Sequence, residues 1–164
     1  MAWITSFDIN WYAGYFACTP GAIEHDIVTV YRSSHKLKHR VAQFPEVEED
    51  FCGEFTPELE ESTLTISKEL AEAMFSLLEQ ADTEGVFKRS YEEDIMDGST
   101  WELRIRYSDR TVRRTIGNIT YPPYGEDLEN LIRAAITKAD SEIQPMCFRG
   151  STNKEPSLSH FSTH

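Results

Sequence analysis

The chain has 164 residues, of which 40% are hydrophobic and 12% aromatic, enough apolar material for the core of one domain. Its formal charge of -12 counts against a dedicated nucleic-acid binder, because phosphate contacts dominate that kind of affinity. Nowhere do about 18 apolar residues follow one another, so no membrane span and no membrane partner are expected.

The opening residues lack the basic start and long apolar run of a signal peptide, so the expected address is cytoplasmic. Cys18, Cys52 and Cys147 are odd in number and irregularly spaced, which fits reduced thiols rather than a disulfide framework or a zinc pattern.

Residues 6–15 alternate in hydrophobicity, with Phe7, Ile9, Trp11, Ala13 and Tyr15 on one face and Asp8 and Asn10 between them. That period predicts a strand with one buried side. Residues 19–21 carry turn chemistry, residues 27–31 read as the return strand of a hairpin, and residues 36–44 read as a third strand stopped by Pro45.

Residues 46–61 then change character. They hold Glu46, Glu48, Glu49, Asp50, Glu54, Glu58, Glu60 and Glu61 with no Lys or Arg, so -8 of the net -12 falls here. Val47, Phe51, Phe55 and Leu59 recur at every fourth position, but Gly53 and Pro57 oppose a continuous helix. The expectation is a loop pinned to the body by its two Phe side chains.

A short strand is expected at residues 64–66. Ser67 is a candidate N-cap for a helix to about residue 80, with Leu70, Met74, Leu77, Leu78 and Ala81 on its apolar face and Gly85 as a stop. Next comes the clearest hairpin. Trp101, Leu103, Ile105 and Tyr107 face one way and Glu102, Arg104 and Arg106 the other, residues 108–111 turn the chain, and residues 112–117 return.

A second amphipathic helix is expected over residues 125–142. Leu128, Leu131, Ile132, Ala135, Ile136 and Ala139 form its stripe, Glu126 and Asp127 suit its N-terminal end, and Lys138 its C-terminal end.

Residues 86–136, about a third of the chain, carry short motifs: Asp97-Gly98-x-x-Trp101, a turn at Ser108-Asp109-Arg110, and Gly117-Asn118-x-x-Tyr121-Pro122. In these the chain resembles a family of small bacterial and phage-associated proteins with no assigned activity, so the resemblance bears on fold alone. Arg110 departs from it, standing where the family turn usually has Gly. A two-residue turn with positive φ at both central positions would disfavour Arg, so a different or longer turn is expected.

The fold class that follows is α+β: an antiparallel sheet of about six strands with two amphipathic helices packed on one face. Residues 1–148 are expected to form a single domain and residues 149–164 a mobile tail, because from residue 149 the composition turns to Ser, Thr, Asn, Pro and His.

No nucleophile motif or phosphate-binding Gly-rich loop occurs, so no catalytic residue, no enzyme activity and no cofactor are expected. His25, His35 and His39 invite a metal reading. His35 and His39 are separated along a strand by about 13 Å, too far for one ion, so no metal site is expected.

What remains informative is charge segregation. The expected partner-binding residues are Glu46, Glu48, Glu49, Asp50 and Glu54 on the acidic segment, with Arg104, Arg106, Arg110 and Arg113 on the basic hairpin. The function this suggests is a non-catalytic acidic protein that inhibits or regulates a protein partner with a basic surface. Immunity proteins against toxins and phage-encoded anti-defence proteins share its size and charge. The alternative is a small-molecule sensor with an aromatic pocket built from Trp11, Tyr12, Tyr15 and Trp101.

Overall fold

A computed structural model describes residues 2–13, 21–45, 57–92, 99–118 and 120–148. Six strands, β1 (Ile4–Tyr12), β2 (Ile23–Tyr31), β3 (Lys36–Gln43), β4 (Glu58–Thr65), β5 (Thr100–Tyr107) and β6 (Val112–Gly117), form one antiparallel sheet in the order β4-β3-β2-β1-β5-β6. Helices α1 (Lys68–Thr83) and α2 (Gly125–Lys138) pack on one face of it, so the class is α+β.

The period-2 pattern of the strands decides which side chains meet the helices. Phe7 and Ile9 of β1, Val28 and Val30 of β2, Leu37 of β3, and Trp101, Leu103 and Ile105 of β5 all join one core with the buried faces of both helices. The register sets Phe7 opposite Val30 on one side and Ile105 on the other. Phe7 also meets Phe75 of α1 edge to face, with ring centroids 5.4 Å apart.

The alternation expected in β1 and in the β5–β6 hairpin is present, and β6 has the expected bounds. The first strand is shorter than read, ending at Tyr12, and Tyr15 lies outside the described residues. In α1, Ser67 caps the helix by accepting a hydrogen bond from the Leu70 amide, and Gly85 follows in the left-handed region at φ 78°. Its buried stripe is Ala71, Met74, Phe75, Leu78 and Ala81, so Leu70 and Leu77 flank the core.

The second helix stops at Lys138 rather than at residue 142. Asp140 turns left-handed at φ 63°, while the Asp140 and Ser141 amides donate to the carbonyls of Thr137 and Ile136. This is the paired C-terminal closure of a Schellman motif, with Asp where Gly is usual.

One further expectation needs correction. Residues 58–61 of the acidic segment are not loop but the first half of β4, which pairs with β3 along its length. Backbone pairing is indifferent to side-chain charge, and here the charges are favourable, since Glu61 stands opposite Arg40 and 3.3 Å from the Lys38 ammonium. Residues 46–56, including Phe51 and Phe55, which were expected to pin the loop, and the tail beyond residue 148 lie outside the described residues.

The β5–β6 turn is the longer type expected from Arg110. Ser108, Asp109 and Arg110 form the loop, Arg110 takes φ 75°, and its amide donates to the Tyr107 carbonyl. The Asp109 carboxylate accepts from both the amide and the hydroxyl of Thr111, which holds the bend.

Two polar contacts fasten the layers. Arg32, in the β2–β3 turn, lies over the Phe75 ring and donates to Glu72 and Glu79 of α1 and to the Ile4 carbonyl. Its hydrogen bond to Glu72 lowers the carboxyl pKa of Glu72 and raises the guanidinium pKa. At the far end Asp26, 1% exposed, contacts His39 Nε2 at 2.8 Å and accepts from the Met146 amide, which ties residues 145–148 to the sheet.

Among the described residues no helix is long and apolar enough to cross a membrane.

Candidate functional site: the open face of the sheet

The sheet face away from the helices is built from the other half of the same alternation. On β1 it presents Ser6, Asp8, Asn10 and Tyr12, and the register places Arg106, Arg104, Glu102 and Thr100 of β5 beside them. On the other side stand Tyr31, Thr29, Ile27 and His25 of β2, then Lys36, Lys38 and Arg40 of β3. Arg114 of β6 is opposite Arg104.

Polar residues on an uncovered sheet face are usually well exposed. Here Asp8 and Asn10 are each 5% exposed and Glu102 is 7%. Their polar groups are engaged within the face, the two carboxylates by longer cross-strand neighbours. Arg106 reaches diagonally to the Asp8 carboxylate at 2.7 Å, and the Asn10 amide donates to the other Asp8 oxygen at 3.1 Å. Arg114 reaches diagonally to Glu102 at 2.5 Å.

These charge-assisted bonds offset the cost of removing two carboxylates from water. The Glu102 oxygen that accepts from Arg114 is also the nearest anion to Arg104, at 3.8 Å. That is too long for a hydrogen bond, and Arg104 Nε is buried with no hydrogen-bond partner.

Tyr12 and His25 close one end as a stacked pair, with centroids 4.3 Å apart and planes within 14°. Burial, then the charge of Glu102, push the Tyr12 hydroxyl above its ordinary pKa, with Arg104 opposing. Burial holds the His25 imidazole below its ordinary value despite Glu24 and Asp26 nearby. Tyr12 therefore stays a neutral donor and His25 favours its neutral form.

The charge balance of this face differs from that of the chain. Among the described residues, Lys36, Lys38, Arg40, Arg104, Arg106 and Arg114 outnumber the carboxylates of this face, Asp8, Glu61 and Glu102, while the whole chain carries -12.

The expected partner-binding arginines are thus divided. Arg104 and Arg106 share the open face, while Arg110 sits at the turn. Arg113 points to the helix side, 3.7 Å from Asp82 of α1 and over the Tyr107 ring. Glu46, Glu48, Glu49, Asp50 and Glu54 lie outside the described residues.

The four aromatic residues expected to line a pocket do not converge. Trp11 and Trp101 are cross-strand neighbours on the helix face, Tyr12 is on the opposite face, and Tyr15 is outside the described residues. Trp101 is a core residue, fully buried, donating its indole N–H to the Thr120 carbonyl and packing edge to face on Phe148. The histidines are dispersed too: His25 is on the open face, His39 on the helix face and His35 in a turn.

Sequence reading found Arg104 and Arg106 but missed Asp8, Asn10 and Glu102 as members of the same network. The available signal was only the alternation of polar residues through each of two apolar-backed strands, which does not say that the strands pair. No family model matches the chain, and neither a curated protein nor a solved structure matches it.

Proposed function

We propose that the chain is a non-catalytic binding protein that inhibits or regulates a protein partner, in the manner of immunity proteins and phage-encoded anti-defence proteins. The supporting observation is the open sheet face, where arginines and carboxylates are held in fixed positions with no helix of the described residues over them. A rigid, uncovered strand surface rich in Arg suits recognition of another protein. Asp8 and Glu102 are each engaged by an arginine, which suits a structural and electrostatic role rather than that of a general base.

The acidic segment belongs to the same reading. Glu46, Glu48, Glu49, Asp50 and Glu54 would face a basic part of the partner and steer its approach, while Arg104 and Arg106 contact another part. A cytoplasmic address and the likeness to the bacterial and phage-associated family are parts of this proposal.

The test is capture of the partner from lysate, followed by an assay of the captured partner's activity with and without this chain. Wild type is compared with the Glu48→Lys, Glu49→Lys, Asp50→Lys triple variant at low and moderate salt. The expected result is one partner whose activity falls on binding, with slower association for the variant and the difference shrinking as salt rises. Capture of a partner whose activity is unchanged, or equal association by both proteins at every salt concentration, would contradict the proposal.

A further inference from the structure

The open face contains an arrangement that stability alone does not favour. Arg104 and Arg114 stand directly opposite each other on β5 and β6, a like-charge cross-strand pair. Among the described residues only one carboxylate oxygen, Glu102 Oε2, serves both of them, at 2.5 Å from Arg114 and 3.8 Å from Arg104. The Asp8 oxygens on the other side are committed to Arg106 and Asn10. Arg104 is left with a buried Nε that makes no hydrogen bond, although its side chain is 38% exposed.

A sequence selected only for folding would place a carboxylate or a neutral residue at one of these two positions. Local departures from the stable choice concentrate where a site does something else. A guanidinium offers a planar fork of donors that fits a carboxylate with two parallel bonds. In the same register row Lys38 of β3 stands further on, beyond Asp8 of β1 and Thr29 of β2.

We propose that Arg104 and Arg114 bind carboxylates of an acidic, extended segment of the partner protein, which lies across the open face of the sheet. This rests on the binding function proposed above and names the chemistry of one part of the partner. A polypeptide occupant is favoured over a nucleic acid because the chain's charge of -12 repels a long polyanion, whereas a short acidic segment experiences chiefly the local excess of cations.

The experiment titrates the full chain with a fluorescein-labelled hexaglutamate peptide at about 0.02 M and about 0.15 M salt, reading anisotropy and backbone amide shifts. Wild type is expected to bind, with perturbed amides in β1, β5 and β6. Arg104→Gln is expected to weaken binding tenfold or more without lowering the melting temperature, since it relieves the like-charge pair. Lys138→Gln, an equal change of net charge at the end of α2, is expected to leave the affinity within twofold.

Equal binding by wild type and Arg104→Gln, or amide shifts confined to other elements, would overturn the proposal. So would tighter binding of a single-stranded oligothymidine than of the peptide. The titration needs no captured partner, so the two readings can fail separately. Absence of a regulated partner while the peptide site persists counts against the function. A regulated partner captured equally by wild type and Arg104→Gln, with no peptide binding, counts against this site.

Discussion

The two faces of the sheet are made from the same strands, yet they are held by different forces. On the helix side Phe7, Ile9, Trp101, Leu103 and Ile105 are buried against helix residues, and stabilisation scales with apolar area and packing. On the open side Asp8, Asn10 and Glu102 reach nearly the same burial with no described helix over them, and arginines engage the two carboxylates. A face built by packing tolerates little change of volume, while a face built by charge is sensitive to single protons and to salt. Substitutions should therefore behave differently on the two sides.

The largest effect is expected where the helix face is tightest. A Cβ added at Gly117 would come within 2.2 Å of a ring carbon of Trp101, which is itself fully buried. Trp101→Ala should cost about 3–5 kcal/mol, and Gly117→Ala should also destabilise severely through overpacking. Urea denaturation gives both values; a Gly117→Ala midpoint equal to that of wild type would refute the close approach.

On the open face Arg106→Ala should cost about 2–3 kcal/mol, because it leaves the buried Asp8 carboxylate without its counter-charge and with the Asn10 amide as its remaining donor among the described side chains. The pair Asp8→Asn, Arg106→Ala should cost less than the sum of its single changes, as a double-mutant cycle would show. Additivity would mean that Arg106 covers Asp8 without interacting with it.

Titration separates the faces by pH. Tyr107, on the helix face, donates to the Asp82 carboxylate at 2.6 Å, and burial, then that bond, raise its pKa strongly. A raised folded pKa means stability present below the unfolded value of about 10 and lost as pH rises beyond it. His25, on the open face, is lowered by burial, so its contribution is present above about 6.5 and lost as pH falls. Tyr107→Phe should flatten the alkaline limb of a stability–pH curve and His25→Phe the acid limb, with the ring stack kept. Unchanged limbs in both variants would break the assignment.

The smallest effect lies at the hairpin turn. Arg110→Gly removes a left-handed non-glycine residue, a relief of about 1–2 kcal/mol, against a backbone entropy cost of about 0.5–1 kcal/mol. The net gain of about 0.5 kcal/mol should appear as a slightly higher melting temperature.

How much of this was legible follows from the range of the forces involved. Alternation along β1 and β5 is a local signal, and it correctly placed Phe7, Ile9, Trp101 and Leu103 on one face. The same rule separates Trp11 from Tyr12, which the expected aromatic pocket had joined. Ser67 as a cap and Arg110 as an obstacle to a tight turn were likewise readable from single residues. The network of Asp8, Asn10, Glu102 and Arg114 was not, because it depends on which strands lie side by side. The Asp26–His39 contact and the engagement of Glu72 by Arg32 are hidden for the same reason. Residues 58–61 were misread because a helix opposed by Gly53 and Pro57 was replaced by a loop over the whole segment, while an edge strand needs only a partner for its backbone.

The strand order also carries a consequence for synthesis. Strand β1 lies between β2 and β5, and Ile9 pairs with Val28 on one side and Leu103 on the other. A ribosome adding about 5–20 residues per second delivers β2 within seconds of β1, but β5 only after several seconds more. During that interval the β1–β4 meander has an unpaired β1 edge and an apolar face without α2. Such an edge invites pairing with another nascent chain. The vulnerable species in a cell is therefore the unfinished polypeptide, and slowing translation between β4 and β5 should raise aggregation while leaving the stability of the completed protein unchanged.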